Sequence, residues 1–128
     1  MILVDTSMWI ELLSGRRKFS LGDEVLFEFV TCGPVVQEVL QGIRNHSAAS
    51  AFRASFMALP VLSDPLPLRL FESAAEFYRR GPEKGYTIRS SVDCLIAAIA
   101  IENDAPVWHQ DRDFDILARF TTLRIFTF

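Results

Sequence analysis

The sequence predicts an α/β fold, a parallel sheet covered by helices on both faces. Short continuous apolar runs at Ile2-Leu3-Val4, Phe29-Val30-Thr31-Cys32 and Val107-Trp108 have the composition of strands buried on both sides. Longer stretches with apolar residues at helical spacing separate them, and that alternation calls for right-handed crossovers and parallel pairing. The 128 residues, half of them hydrophobic and 11 of them Phe, fit one domain over residues 1–128 with ample material for a core.

Each element has a local cause. Asp5-Thr6-Ser7 supplies helix-capping residues after the first run, so a helix is expected from Thr6 to Leu13, ending near Gly15. Arg16-Arg17-Lys18 reads as a short basic loop, and a second helix as Leu21 to Glu28. Gly33-Pro34 breaks the second strand and starts a helix with Pro near its first position. Val35, Val36, Val39, Leu40 and Ile43 form that helix's apolar stripe. Ser47 to Leu59 reads as a helix with Phe52 and Phe56 on one face, and Val61-Leu62 as a short edge strand. Pro65 and Pro67 mark a loop. The next helix runs from Leu68 to about Arg80, with Gly81-Pro82 expected to stop it. Arg89 to Asn103 is the clearest helix, and its alanine-rich surroundings bury it on more than one side. A helical turn or two from Phe114 to Arg119 and a last strand from Leu123 to Phe128 complete the chain.

Charge and composition exclude several classes. The net charge of −3 and pI near 5.3 do not suit a protein that grips nucleic acid by overall charge. If the chain handles RNA, local arginines or a bound cation must offset its acidity. Cys32 and Cys94 have no close spacing, so they read as free buried thiols rather than a zinc site or a disulfide framework. No apolar run approaches the ~20 residues of a membrane span. The opening Met1-Ile2-Leu3-Val4-Asp5 lacks the basic region and cleavage site of a signal peptide, and a cytoplasmic protein is expected.

Five acids stand where chemistry is plausible. Ligands of parallel α/β sheets bind outside the carboxyl ends of the strands. Asp5 follows the first strand, and Asp111 and Asp113 follow Val107-Trp108 by a few residues. Glu38 interrupts an apolar helix, and Asp93 opens the most buried one. Singly, each has a structural reading: Asp5 a helix cap, Glu38 an outward-facing residue, Asp93 a partner of the helix dipole, Asp111 and Asp113 loop acids or a turn and cap. Together they pose a different problem. Carboxylates gathered in a cleft repel and resist ionisation unless a cation binds among them. Oxygen ligands without His or Cys favour Mg²⁺ or Mn²⁺ over zinc. Such ions activate water and stabilise charge developing on a phosphodiester.

The residues around these acids resemble the PIN-domain nucleases, and the VapC toxins in particular. Val4-Asp5-Thr6-Ser7-Met8-Trp9-Ile10 is similar to the family's opening motif. Pro34 to Gly42 resembles the second, which carries the helix glutamate. Ser91 to Ala100 resembles the third, and Gln110-Asp111-Arg112-Asp113-Phe114 the fourth. The motifs occur in family order and cover nearly the whole chain. The resemblance implies a PIN-like three-layer fold with about five parallel strands and Mg²⁺-dependent endoribonuclease activity, with Mn²⁺ a substitute. It assigns catalysis and metal binding to Asp5, Glu38, Asp93 and Asp111, with Asp113 a further metal contributor. It also implies a homodimer, a VapB-like antitoxin as inhibitor, and an RNA substrate of the translation machinery such as tRNA or ribosomal RNA.

One position departs from the pattern. Where the family commonly has Thr or Ser two residues before the fourth acid, this chain has His109. It could contact RNA phosphate, take part in proton transfer, or hold a strand end, the last being the default. His46, in a polar loop, receives no role. Arg16, Arg17, Lys18, Arg79, Arg80, Lys84 and Arg89 could guide RNA toward an acidic cleft, although solvated surface suffices as an explanation. Thr6 and Ser7 could bond a metal-bound water, although capping suffices. Trp9, Leu12, Leu13, Phe52 and Phe56 could form an antitoxin groove, with core packing the default for the aromatics.

Two other acid-bearing α/β classes fit poorly. A phosphate-receiver module needs a phospho-acceptor Asp after a central strand and a Lys after the last strands, and neither appears. An aspartyl phosphatase usually has a second Asp two positions after the first, where this chain has Ser7. The non-enzyme alternative is a catalytically inactive PIN-like module that binds RNA or protein; its acids would normally be eroded.

Overall fold

A computed structural model describes residues 1–14, 21–43 and 47–128. The Arg16-Arg17-Lys18 loop and His46 lie outside the described residues. The chain alternates strands and helices: β1 (Ile2–Val4), α1 (Thr6–Ser14), α2 (Asp23–Leu26), β2 (Phe29–Cys32), α3 (Gly33–Gly42), α4 (Ser47–Met57), β3 (Val61–Leu62), α5 (Leu68–Glu83), α6 (Ser91–Glu102), β4 (Val107–Trp108) and α7 (Arg112–Phe120).

The strands form a parallel sheet in the order β3-β2-β1-β4. All residues of β1, β2 and β4 are buried, which is why those segments are continuous apolar runs rather than alternating ones. β1 is central. The chain adds β2 and β3 on one side of it, then crosses to place β4 on the other. The carboxyl ends of β1 and β4 therefore flank the point where strand order reverses, the place where open parallel sheets open a crevice.

The expected last strand shrinks to one parallel bridge, Ile125 to Val107. Two hydrogen bonds support it, from Val107 N to the Arg124 carbonyl at 3.0 Å and from Phe126 N to the Val107 carbonyl at 2.8 Å. With β4 itself two residues long, there is no room for a longer ladder. Among the described residues the sheet thus has four strands and a one-residue fifth position.

Helix boundaries differ from expectation at informative places. Gly81-Pro82 does not stop α5, which continues to Glu83. A proline so close to the end forfeits a backbone bond only in the last turn. Gly81 matters for another reason: a Cβ there would lie 2.9 Å from Ile88 Cδ1, so the bare backbone lets the returning chain pack against the helix. Gly85 then takes φ +82°, a conformation that favours glycine, and reverses the chain toward α6. α6 begins at Ser91 rather than Arg89, with Ser90 as its cap. It is buried from Asp93 to Ala100 apart from the half-buried Leu95, is exposed at Ser91, Val92 and Glu102, and packs along α5. Cys32 and Cys94 are free and buried as expected. Burial pushes both thiols up to about 12, which disfavours the thiolate form.

Candidate metal centre and active site

Asp5, Asp93, Asp111 and Asp113 reach the crevice by standing at or beside the starts of helices, and Glu38 reaches it from the middle of α3. Asp5 follows β1 and starts α1: its carboxylate accepts hydrogen bonds from Ser7 N at 3.0 Å and Ser7 Oγ at 2.5 Å. It caps the helix and faces the site at once, so the structural and chemical readings are not alternatives. Ser7 Oγ also accepts the Gln110 backbone N–H at 2.9 Å, tying the end of β1 to the loop after β4. Asp111 caps α7, accepting the Asp113 N–H at 3.0 Å. Asp113, 1% exposed, turns back from α7 and accepts the N–H groups of Arg89 at 3.1 Å and Ser90 at 2.9 Å through Oδ2. Asp93 lies in the first turn of α6, where the Ser90 side chain, not Asp93, is the cap.

Ligand oxygens of Asp93, Asp111 and Asp113 lie within 4.8 Å of one another. Asp5 and Glu38 join the same electrostatic system. Burial raises the Asp5 pKa, against its bonds from Ser7 and Thr6, and the Asp111 charge raises it further. Glu38 is also raised, by desolvation first and then by Asp5 and Asp111, while its bond from Thr6 Oγ1 at 3.3 Å opposes the shift. Asp93 is pushed up to about 8 by burial and by the charges of Asp5, Asp111 and Asp113. An all-carboxylate cluster of this kind is strained by its own charge. Asp93 Oδ2 and Asp113 Oδ1 are buried with no hydrogen-bond partner. Unpartnered, buried, hard oxygen atoms in a site of excess negative charge fit a divalent cation such as Mg²⁺ or Mn²⁺.

The structure thus brings together the five acids singled out in the sequence, Asp93, Asp111 and Asp113 most closely. Asp113 has a second task that its position in the sequence did not show, because its backbone partners lie 23 and 24 residues away. Ser7 and Gln110 were likewise visible only as capping and motif residues; the bond between them spans 103 residues. Of the basic residues, Arg80 donates to the Phe120 carbonyl at 3.1 Å and lies over the Phe120 ring, a packing role. Arg79 pairs with Glu76 on its own helix. Lys84 and Arg89 are exposed.

Beside the acids runs an open groove of about 440 Å³. Trp9, Ile10, Leu13, Val39 and Phe52 give it apolar walls, and Thr6 and Glu38 join it to the acidic end. Phe56, 1% exposed, belongs to the core instead.

The parallel sheet, its reversal point and the carboxylates there define a protein class. The chain belongs to the PIN-domain family, whose family model matches residues 2–120. Within that family it is similar to ribonuclease VapC11 of Mycobacterium tuberculosis, at 34% identity over a 134-residue alignment covering 100% of this chain and 99% of the relative. Two solved structures share the fold. VapBC-1 from nontypeable Haemophilus influenzae matches with TM-score 0.72 and 18% identity, over 98% of this chain and 96% of that one. VapBC2 from Rickettsia felis, bound to a DNA fragment from the promoter, matches with TM-score 0.70 and 16% identity, over 98% and 97%.

Proposed function

We propose that this chain is an endoribonuclease that hydrolyses RNA phosphodiester bonds with Mg²⁺, Mn²⁺ serving as a substitute, and that it is the toxin of a type II toxin–antitoxin pair. The observation that carries the reading is the cluster of buried carboxylates with unpartnered oxygens at the switch point of the sheet. The full-length similarity to a VapC ribonuclease supports the RNA substrate.

Asp5, Glu38, Asp93 and Asp111 would hold the cation, with Asp113 contributing through its unpartnered Oδ1. A bound divalent ion supplies Lewis-acid stabilisation of charge on the phosphodiester and lowers the pKa of water. The chain's own residues set the geometry. Ser7 fixes the Asp5 carboxylate, the Ser90-Arg89 amides fix Asp113, and the α7 amide fixes Asp111. Thr6 orients Glu38 at the exposed edge, where a phosphate backbone can approach.

A VapB-like antitoxin fits the apolar groove that ends at Glu38. An apolar helix seated there could place a basic side chain among the acids and compete with the metal. The active form is a homodimer with symmetric helix contacts, acting in the cytoplasm on an RNA such as tRNA or ribosomal RNA. No helix among the described residues is long and apolar enough to cross a membrane.

The test is cleavage of RNA by the purified chain with Mg²⁺, with chelator, and with Asp93→Asn. Metal-dependent cleavage abolished by that substitution is the expected result. RNA binding without cleavage under any metal would identify the inactive binding module instead.

A further inference from the structure

We infer that His109 is a positioning residue for Asp111, acting through the hydrogen bond that its Nδ1 accepts from the Asp111 amide. The inference rests on the proposed metal site but concerns a residue outside the carboxylate set. The His109 side chain is 6% exposed, and both ring nitrogens have partners. Nδ1 receives the backbone N–H of Asp111 at 2.9 Å. A nitrogen that accepts a hydrogen bond carries no proton, so the ring's proton sits on Nε2. Nε2 lies 3.1 Å from Asp115 Oδ1, which accepts that proton's hydrogen bond. The Phe114 ring, with centroids 5.1 Å apart, packs against the imidazole and limits its rotation.

The result is a closed local loop. The His109 side chain holds the amide of the residue two positions on, a turn that short Ser, Thr, Asn and Asp side chains commonly make. That amide belongs to Asp111, whose own carboxylate caps α7 through Asp113 N. Asp115 lies on the same helix and orients the ring. Two turns nested in this way fix where the Asp111 carboxylate points relative to Asp93. A ring held by two hydrogen bonds and facing away from solvent is badly placed to receive an RNA phosphate or to shuttle a proton.

Substitution separates the possibilities. His109→Ala removes the acceptor, and His109→Asn restores one that can reach the same amide. Calorimetric titration with Mn²⁺ alone should show binding weakened about 10–100-fold in His109→Ala, the usual scale for groups that orient metal ligands. His109→Asn should recover most of it. RNA cleavage should follow the same order, through kcat more than KM. Nitrogen-15 NMR of the parent's imidazole should show Nδ1 unprotonated and Nε2 protonated. The inference is overturned by a proton on Nδ1, by parental Mn²⁺ affinity in His109→Ala, or by His109→Asn binding Mn²⁺ as weakly as His109→Ala. Circular dichroism checks folding of both variants, and the NMR result on the parent stands if His109→Ala does not fold. Failure of the nuclease reading would appear separately, as Mn²⁺ binding without RNA cleavage.

Discussion

The Asp113 carboxylate accepts the Ser90 backbone N–H at 2.9 Å, joining the start of α7 to the start of α6. The same oxygen takes the Arg89 N–H at 3.1 Å. One side chain therefore sets the spacing between the helices that carry Asp111 and Asp93. Asp113→Ala leaves two backbone donors without their acceptor. It should lower stability by about 1–3 kcal/mol, the usual cost of orphaned polar groups. Urea unfolding of the metal-free protein measures this, and a change within experimental error would remove the clamp role.

Ser7 makes the equivalent link on the other side of the crevice. Its hydroxyl donates to Asp5 and accepts from Gln110 N. Ser7→Ala should keep the fold, since Ala suits a helix, and should weaken Mn²⁺ binding or RNA cleavage by about 10–100-fold. Ser7→Thr should retain most of both, because its hydroxyl can make the same bonds. Equal losses in the two variants would show that volume, not hydrogen bonding, matters at this position.

Much of this was legible in the sequence because it was local. The apolar runs at Ile2–Val4 and Phe29–Cys32 can hardly be other than buried strands, and Pro34 marks a helix start. The acids stood out because each sits beside apolar or capping neighbours, and the motif resemblance ordered them. What the sequence left open depended on long-range pairing. Whether Leu123–Phe128 forms a strand is decided by β4, which is too short to pair with more of it. Asp113 gave no sign of its contact with Ser90, nor Ser7 of its contact with Gln110. α5 runs on to Glu83, past Gly81-Pro82, because proline rules describe helix interiors and Pro82 sits in a last turn.

The carboxylate cluster makes stability depend on pH. Asp93 rises from an ordinary 3.8 to about 8 in the folded chain. The folded state thus holds a proton that the unfolded state has released across that window. Its stabilising contribution is complete below the unfolded pKa and is lost as pH rises toward 8. Asp5 and Glu38, also raised, act in the same direction. The melting temperature of the metal-free protein should therefore fall between about pH 4 and pH 8, and saturating Mg²⁺ should flatten or reverse the slope. A metal-free Tm that climbs through this range would contradict the shift.

Asp93→Asn should abolish cleavage while the fold survives, because Ser90 rather than Asp93 caps α6. Above pH 8 the metal-free variant should melt higher than the parent, since it lacks the buried charge that Asp5, Asp111 and Asp113 oppose. Thermal melts of both proteins with chelator present measure the difference. Parental cleavage by a folded variant would take Asp93 out of the mechanism.

The most direct test of the metal centre is anomalous diffraction from crystals soaked in Mn²⁺. A peak is expected bounded by Asp93, Asp111 and Asp113, with Asp5 or Glu38 completing its ligands directly or through water, and no such peak in Asp93→Asn crystals. Crystals of a protein that cleaves RNA in Mn²⁺ yet show no ion at these carboxylates, or an ion bound elsewhere, would contradict it.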